Sequence, residues 1–184
     1  MAYFDNNATT CPCAAAVAAH SAALDEDWRN PSAPSRAAAR VRALLENARE
    51  KLAACLRVEP LSLSFTSGAT EANNAVFAHL SREAAPETRV LLSPVEHPSV
   101  REAARRYFPS YVEELPVDAS GVVSPDDLSA AIAVGRVALV SVMAVNNEIG
   151  VIQPWRELAT LCREREVPFH CDATQWVGKL PADG

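Results

Sequence analysis

The fold can be argued from one stretch of the sequence, residues 63 to 74, which reads Leu63-Ser64-Phe65-Thr66-Ser67-Gly68-Ala69-Thr70-Glu71-Ala72-Asn73-Asn74. A short apolar run leads into small residues and then into a segment with helical potential. A strand, a tight turn and a helix in that order bring several backbone N–H groups to the positive end of a helix dipole. Such a turn suits an anion of phosphate size. The alternative is an ordinary strand-to-helix connection with Ser67 or Thr70 as the N-cap. The stretch matches neither the GxxxxGK[ST] nor the GxGxxG pattern, so no motif supports a nucleotide ligand.

Length and composition indicate a soluble globular protein. The chain has 184 residues, of which 49% are hydrophobic and 22% charged, and its formal net charge is -6. We expect a single α/β domain over residues 1–184, with an N-terminal arm over about residues 1–20. The acidic balance argues against a nucleic-acid partner, and no apolar run is long enough to span a membrane, so we expect a cytoplasmic protein. Five scattered cysteines match neither a disulfide framework nor a metal site.

Apolar segments of strand and helix character alternate along the rest of the chain. Helices are expected over residues 13–24, 35–56, 71–82, 99–107, 125–134 and 155–166. Strands are expected over residues 61–65, 90–93, 111–115, 137–142 and 168–172. This alternation predicts a doubly wound, mostly parallel sheet with helices on both faces. In the second helix an apolar stripe at helical spacing is expected to lie in the core: Val41, Leu44, Leu45, Ala48 and Leu52.

Polar groups follow the predicted strands. They occupy residues 66–70, 94–97, 145–148 and 172–175, and in a parallel sheet they should meet at the carboxyl edge, where ligands bind. Taken singly, Asp172 could be a helix cap, His97 a packed histidine, and Asn146 with Asn147 a turn. Together with the anion turn, they suit a flat, phosphorylated and partly aromatic ligand.

Six motifs with this order and spacing carry a family resemblance. They are Asp5-Asn6-Asn7-Ala8-Thr9-Thr10, Asn30-Pro31-Ser32, Phe65-Thr66-Ser67-Gly68-Ala69-Thr70-Glu71, Glu96-His97, Val145-Asn146-Asn147-Glu148-Ile149-Gly150 and Asp172-Ala173-Thr174-Gln175-Trp176-Val177-Gly178-Lys179. The chain resembles the NifS/IscS-type cysteine desulfurases of the class V aminotransferase superfamily. These are fold-type I enzymes that depend on pyridoxal 5'-phosphate, so the resemblance implies the large domain of that fold, here incomplete.

The resemblance implies a role for each of six residues at the cofactor. Ala69 and Thr70 would bind the phosphate, and Asp172 would pair with the pyridine nitrogen, which keeps the ring protonated as an electron sink. His97 would be the catalytic residue, stacking on the ring and assisting proton transfers.

Two further residues are assigned in the same way. Gln175 would hydrogen-bond the ring oxygen, and Asn147 would lie near that oxygen and the substrate carboxylate. The implied reaction converts L-cysteine to L-alanine and holds the sulfur as a persulfide. The sulfur would pass to an acceptor protein for iron–sulfur cluster or thio-cofactor assembly.

Some of the family's catalytic residues have no counterpart in this sequence. The lysine that bonds the cofactor lies in a Ser-x-His-Lys motif beyond Asp172, and the persulfide cysteine and the substrate-binding arginine lie further on. Lys179 does not occupy the cofactor-lysine position. We therefore expect an N-terminal part of a desulfurase that is inactive alone and associates with itself or with a complementary C-terminal chain. The alternatives are a non-catalytic or split-enzyme module, or another class V enzyme such as a selenocysteine lyase or a kynureninase-like hydrolase.

Overall fold

The computed structural model describes residues 2–181, and it divides into two units at the boundary between Phe65 and Thr66. The first unit contains the helices α1 (Ala14–Glu26) and α2 (Arg36–Leu56) and a 3-10 turn at Pro60–Ser62. Across the described chain no helix is both long enough and apolar enough to cross a membrane.

Helix α2 has clear start and stop signals. The Ser35 hydroxyl accepts a hydrogen bond from the Ala38 N–H at 3.2 Å, as expected of an N-cap serine. The helix ends at Arg57, which adopts the left-handed conformation with φ 55°. These signals explain why the sequence places this helix within one residue of its observed ends.

The expectation that the apolar stripe of α2 lies in a core is wrong. Ala38 and Ala53 are the residues of α2 that are buried, whereas Leu44 and Leu52 keep 48% and 44% of their surface exposed. Periodicity identifies the face of a helix that could pack, but burial also needs a second surface to pack against.

The strand expected over residues 61–65 does not form either. Pro60 starts a 3-10 turn instead, and Leu63 beyond it is extended but belongs to no strand. The Arg49 guanidinium donates to the Leu63 carbonyl at 2.5 Å and lies 4.8 Å from the centre of the Phe65 ring. A β-strand is defined by ladder hydrogen bonds to a neighbouring strand, and here a side chain takes up the carbonyl group.

The second unit contains the remaining helices and a parallel sheet. The helices are α3 (Ala69–Glu83), α4 (Pro98–Tyr107), α5 (Pro125–Ala133) and α6 (Trp155–Glu164). The strands are β1 (Arg89–Leu92), β2 (Val112–Glu114), β3 (Val137–Ser141) and β4 (Phe169–His170). Their spatial order is β2-β1-β3-β4, and every pairing is parallel.

Alternate residues of the central strands point into separate cores on the two sheet faces. Leu91 and Val140 pack on one face in a core that also includes residues of α5 and α6. Val90 and Leu139 pack on the other face with residues of α3 and α4, among them Phe77, whose side chain is fully buried. This confirms the predicted doubly wound sheet, and it brings the loops after β1, β3 and β4 to the carboxyl edge.

Candidate functional site

Asp172 lies two residues beyond β4 and keeps 7% of its surface exposed. One carboxylate oxygen accepts from Asn73 Nδ2 at 2.9 Å, and the other accepts from the Thr174 N–H at 3.0 Å. Burial alone would raise the pKa of Asp172. The hydrogen bonds from Thr174 and Asn73, together with the nearby His170 ring, outweigh burial and lower the pKa below its usual value. Asp172 is therefore a buried carboxylate that stays ionised.

His97 lies in the loop after β1 and caps α4. Its Nδ1 atom accepts from the Ser99 N–H at 3.1 Å and lies 2.8 Å from the Ser99 hydroxyl oxygen. The ring is exposed, so it is fixed from one side while its other side faces solvent. An imidazole held in this way can contact a ligand at the carboxyl edge of the sheet.

Asn73 joins these two residues. It lies on α3, keeps 4% of its surface exposed, and its Nδ2 atom donates both to Ser99 Oγ at 3.0 Å and to Asp172. Two intervening side chains thus connect His97 to Asp172. No role for Asn73 or Ser99 follows from the sequence patterns alone, although Asn73 lies in the quoted turn motif, one helical turn beyond Ala69.

The predicted anion turn lies at the start of α3, although no strand precedes it in the part of the chain that the structure describes. Gly68 is the N-cap, and Ala69 and Thr70 occupy the first two helical positions. The Glu71 carboxylate reaches back and accepts from the Ser67 N–H at 2.7 Å and from the Ser67 hydroxyl at 2.6 Å. These bonds lower the pKa of Glu71, and the arrangement resembles a capping box.

A cavity of about 310 Å³ lies beside this turn. Its lining includes Ala69, Asn73, Asp172 and Thr174, so the start of α3 and the end of β4 share one hollow. Thr70 is exposed at the same helix end, where its carbonyl accepts from Asn74. The structure therefore brings the predicted phosphate turn next to the predicted carboxylate.

The loop after β3 is held by Asn146 rather than by its neighbour Asn147. The Asn146 side-chain oxygen accepts from the Glu148 and Ile149 N–H groups, each at 2.8 Å, and its Nδ2 atom donates to the Val95 carbonyl at 2.7 Å. Asn147 is half-buried within this turn. The turn interpretation of the Asn-Asn pair thus applies to Asn146, which ties this loop to the loop that carries His97.

Gln175 lies in the turn that follows Asp172. Its Oε1 atom accepts from the Lys179 ammonium group. Because an ammonium group can only donate, the carbonyl end of the amide faces Lys179 and Nε2 forms the opposite, donating end. Trp176 is packed in the same turn, edge-to-face with Trp155 of α6 at 5.6 Å between ring centres.

A further buried acid, Glu96, precedes His97 and was not assigned a role from the sequence. It keeps 4% of its surface exposed; Oε1 accepts from the Met143 N–H at 2.5 Å, and Oε2 is buried without a hydrogen-bond partner in the described structure. Burial raises the pKa of Glu96 to about 8; the Met143 N–H opposes this, and the charge on Asp172 adds to it. Glu96 is thus protonated at neutral pH.

Comparison with known proteins agrees with this architecture. The family model described as aminotransferase class-V matches residues 2–184. A NifS/IcsS protein homologue from Lactobacillus delbrueckii subsp. bulgaricus is 38% identical over 185 residues, covering 97% of this chain and 47% of the relative. A mitochondrial cysteine desulfurase from Arthroderma benhamiae is 41% identical over 143 residues, covering 75% and 28% respectively.

Solved structures agree as well. A NifS-like protein superposes with a TM-score of 0.90 at 33% identity, covering 97% of this chain and 50% of that one. A structure described as SspA in complex with cysteine also gives 0.90, at 29% identity, covering 97% and 52%. The chain spans about half or less of the length of the relatives it matches. By its match over residues 2–184, this chain belongs to the class-V aminotransferase family.

Proposed function

We propose that this chain forms the cofactor-binding part of a pyridoxal-phosphate-dependent cysteine desulfurase. The observation that carries the proposal is the hydrogen-bonded path from His97 through Ser99 and Asn73 to Asp172. It joins an imidazole to an ionised carboxylate at the carboxyl edge of a parallel sheet. The relatives named cysteine desulfurase and the structure of SspA in complex with cysteine support this assignment and L-cysteine as the substrate.

The chemistry of Asp172 suits the pyridine nitrogen. A buried carboxylate is costly unless it is hydrogen-bonded or paired with a cation, and Asp172 combines burial with a lowered pKa. A protonated ring nitrogen in the adjoining cavity would provide both the missing positive charge and a hydrogen-bond donor. Asp172 would accept that proton's hydrogen bond and keep the nitrogen protonated.

The start of α3 suits the phosphate group. The first N–H groups of a helix have no acceptor within the helix, and the dipole there favours an anion. Ala69 and Thr70 occupy these positions, and Ala69 lines the same cavity as Asp172. We assign phosphate binding to their backbone N–H groups and to the Thr70 hydroxyl.

The amide side chains suit the ring oxygen and the substrate carboxylate. Gln175 would use Nε2 to donate to the ring oxygen, because its Oε1 atom accepts from Lys179. Asn147, in the turn held by Asn146, would donate near that oxygen and to the substrate carboxylate. Both residues follow strands whose carboxyl ends meet at the same edge.

The pyridine ring of the bound cofactor supplies an electron sink for the electron pair released at the substrate. His97 would lie against a face of that ring and carry a proton at Nε2, because Nδ1 accepts from the Ser99 N–H. An imidazole exposed at this edge can donate a hydrogen bond from Nε2 to the substrate and so assist proton transfers there. His97 is therefore our proposed catalytic residue.

A second candidate function is a split-enzyme or non-catalytic module. The lysines of the sequence are Lys51 and Lys179, and Lys179 is exposed and bonded to Gln175 rather than desolvated. A lysine that forms covalent bonds with carbonyl groups is usually activated by desolvation or by a neighbouring cation. On this proposal, a complementary chain would supply the cofactor lysine.

The proposed function also implies partners and a location. We propose association with a second copy or with a complementary C-terminal chain, transfer of sulfur to an acceptor protein for iron–sulfur cluster assembly, and a cytoplasmic location. A selenocysteine lyase activity is the nearest alternative within the family. It would be distinguished by comparing alanine release from L-selenocysteine and from L-cysteine by the chain with its partner.

Titration of the chain with pyridoxal 5'-phosphate tests the proposal. Cofactor absorbance and quenching of Trp176 fluorescence should report binding, and Asp172→Asn should weaken it by about tenfold or more because the charge opposite the ring nitrogen is lost. Asp127→Asn, which neutralises an exposed carboxylate on α5, should leave the affinity unchanged. Equal affinity in the Asp172→Asn protein, or no binding by the parent chain, would overturn the proposal.

A further inference from the structure

We propose that Asn73 is a positioning residue of this site, and that its single amide group fixes the orientation of the Asp172 carboxylate and reinforces the proton position on the His97 ring. The inference rests on the proposed function and deepens it. It explains how the imidazole that would stack on the cofactor ring and the carboxylate that would pair with the ring nitrogen are held in fixed positions relative to each other. It rests on a set of hydrogen bonds in which each donor and acceptor can be assigned by elimination.

The Asp172 end fixes the direction of the Asn73 amide. An ionised carboxylate can only accept, so the atom of Asn73 that lies 2.9 Å from Asp172 must be the donor Nδ2. The Asn73 Oδ1 atom therefore faces His170 Nε2 at 3.1 Å, and that ring nitrogen must carry a hydrogen. His170 Nδ1 is then the bare nitrogen and accepts from the Ser141 hydroxyl at 2.8 Å.

The burial of His170 agrees with this assignment. Burial lowers the pKa of His170, and the charge on Asp172 offsets this only in part. The ring is also packed edge-to-face against Phe77 at 5.6 Å between centres. A neutral, packed ring with one hydrogen holds the Asn73 amide in a single orientation.

The His97 end follows from the same amide. A backbone N–H can only donate, so the bond from the Ser99 N–H requires that His97 Nδ1 is bare. The second Asn73 N–H donates to Ser99 Oγ at 3.0 Å, which leaves the Ser99 hydroxyl hydrogen free to point at His97 Nδ1. Asn73 thus helps to direct the Ser99 hydroxyl hydrogen toward Nδ1, which reinforces the tautomer that the Ser99 N–H requires, with the ring hydrogen on Nε2.

Nuclear magnetic resonance of the ¹⁵N-labelled chain tests this directly, without cofactor. Protonated and bare ring nitrogens give well-separated ¹⁵N signals, and the spectra are recorded at about pH 8, above the ordinary pKa of imidazole. We expect Nδ1 to lack a hydrogen in a larger fraction of molecules for His97 and His170 than for His20, which is exposed on α1. A His97 ring protonated on Nδ1, or one indistinguishable from His20, would overturn the inference.

Two variants distinguish the contribution of Asn73 from that of Ser99. In Asn73→Ala, the Ser99 hydroxyl is free to rotate while the Ser99 N–H still donates, so the His97 signals should move part of the way toward those of His20, and the His170 signals should also change. In Ser99→Ala, the His97 signals should move while those of His170 stay. Asn74→Ala removes the neighbouring amide on α3, which bonds to the Thr70 carbonyl, and should leave both rings unchanged. Unchanged His97 signals in both Asn73→Ala and Ser99→Ala would contradict the inference.

The measurement is independent of cofactor binding, so the two proposals can fail separately. If the parent chain does not bind pyridoxal 5'-phosphate, the proposed function fails, while the ring signals still decide the role of Asn73. If Asn73→Ala does not fold, its amide signals will lose their chemical-shift dispersion. The histidine signals of the parent chain and of Ser99→Ala then test the inference. A loss of cofactor affinity in folded Asn73→Ala, with Asn74→Ala unaffected, would add support from a second readout.

Discussion

Helix α2 and helix α4 show how differently the two units of this chain use their apolar residues. Helix α2 runs for 21 residues and buries Ala38 and Ala53. Helix α4 runs for 10 residues and buries Val100, Ala103 and Ala104. The shorter helix therefore makes the larger contribution to a core, because it packs on a sheet.

Local sequence signals determine where these helices begin and end, and burial is a separate determinant of how much they contribute to a core. Helix α2 forms where a serine cap, strong helix-forming residues and a left-handed final residue agree. The leucines of its apolar stripe, Leu44, Leu45 and Leu52, nevertheless remain exposed. Within the described residues, helices α3 and α6 of the second unit have no side-chain N-cap bond, yet the helices of that unit are buried against β-strands, so we expect stability to be concentrated there.

The largest contrast should come from removing a large side chain in each unit. Phe77→Ala empties a fully buried position and should lower the free energy of unfolding by about 3–5 kcal/mol. Leu45→Ala on α2 removes a side chain that is 38% exposed and should cost about 0.5 kcal/mol. Urea denaturation followed by Trp155 and Trp176 fluorescence measures the first, and Trp28 fluorescence measures the second. Similar losses in both proteins would contradict the comparison.

A second contrast concerns pH. The folded state holds a proton on Glu96 up to about pH 8, whereas the unfolded chain loses it at about 4.5. The unfolded state therefore binds fewer protons in this window, and the free energy of unfolding should fall as pH rises, by up to about 1.4 kcal/mol per pH unit. Glu96→Gln should flatten this dependence, and Glu50→Gln on exposed α2 should not. A slope that survives in Glu96→Gln would show that another group titrates.

A third, smaller contrast uses the same substitution at two helix starts. Ser35 caps α2 and Ser124 caps α5, where its hydroxyl accepts from the Asp126 N–H at 3.1 Å. Changing either serine to alanine should cost about 1 kcal/mol. We expect Ser124→Ala to lower the stability of the whole second unit. Ser35→Ala should instead speed amide hydrogen exchange locally at the start of α2. If each substitution changed hydrogen exchange equally in both units, the two units would not unfold independently.

The smallest expected effect concerns the exposed stripe itself. Leu44→Lys should change the free energy of unfolding by no more than about 0.5 kcal/mol in dilute protein, because Leu44 already contacts solvent. Sedimentation velocity at increasing concentration sharpens this prediction. If the parent chain self-associates and Leu44→Lys abolishes the association, the stripe is an interface between copies rather than a solvated face.

Much of the second unit could be predicted because its local signals agree with its tertiary structure. The β-branched run that forms β3 and the proline-led starts of α4 and α5 lie within one or two residues of their expected bounds. The convergence of polar loops followed from one rule about parallel sheets. Asp172 and His97 could be identified because they lie where that rule directs attention.

The parts of the site and fold that could not be predicted depend on contacts between residues far apart in the sequence. Asn73 lies 26 residues from Ser99 and 99 residues from Asp172, so their hydrogen bonds appear only when the fold is assembled. The failed strand over residues 61–65 has the same origin, because a strand needs a neighbour as well as a suitable sequence. The neutral state of Glu96 likewise follows from burial, which composition does not reveal.

The shared amide of Asn73 has an energetic consequence for substitutions in this site. Because Asp172 and His97 are connected through one side chain, the effects of changing them should not be additive, as is usual for members of one polar network. A double-mutant cycle on the pair would therefore yield an interaction energy, although two other side chains separate them.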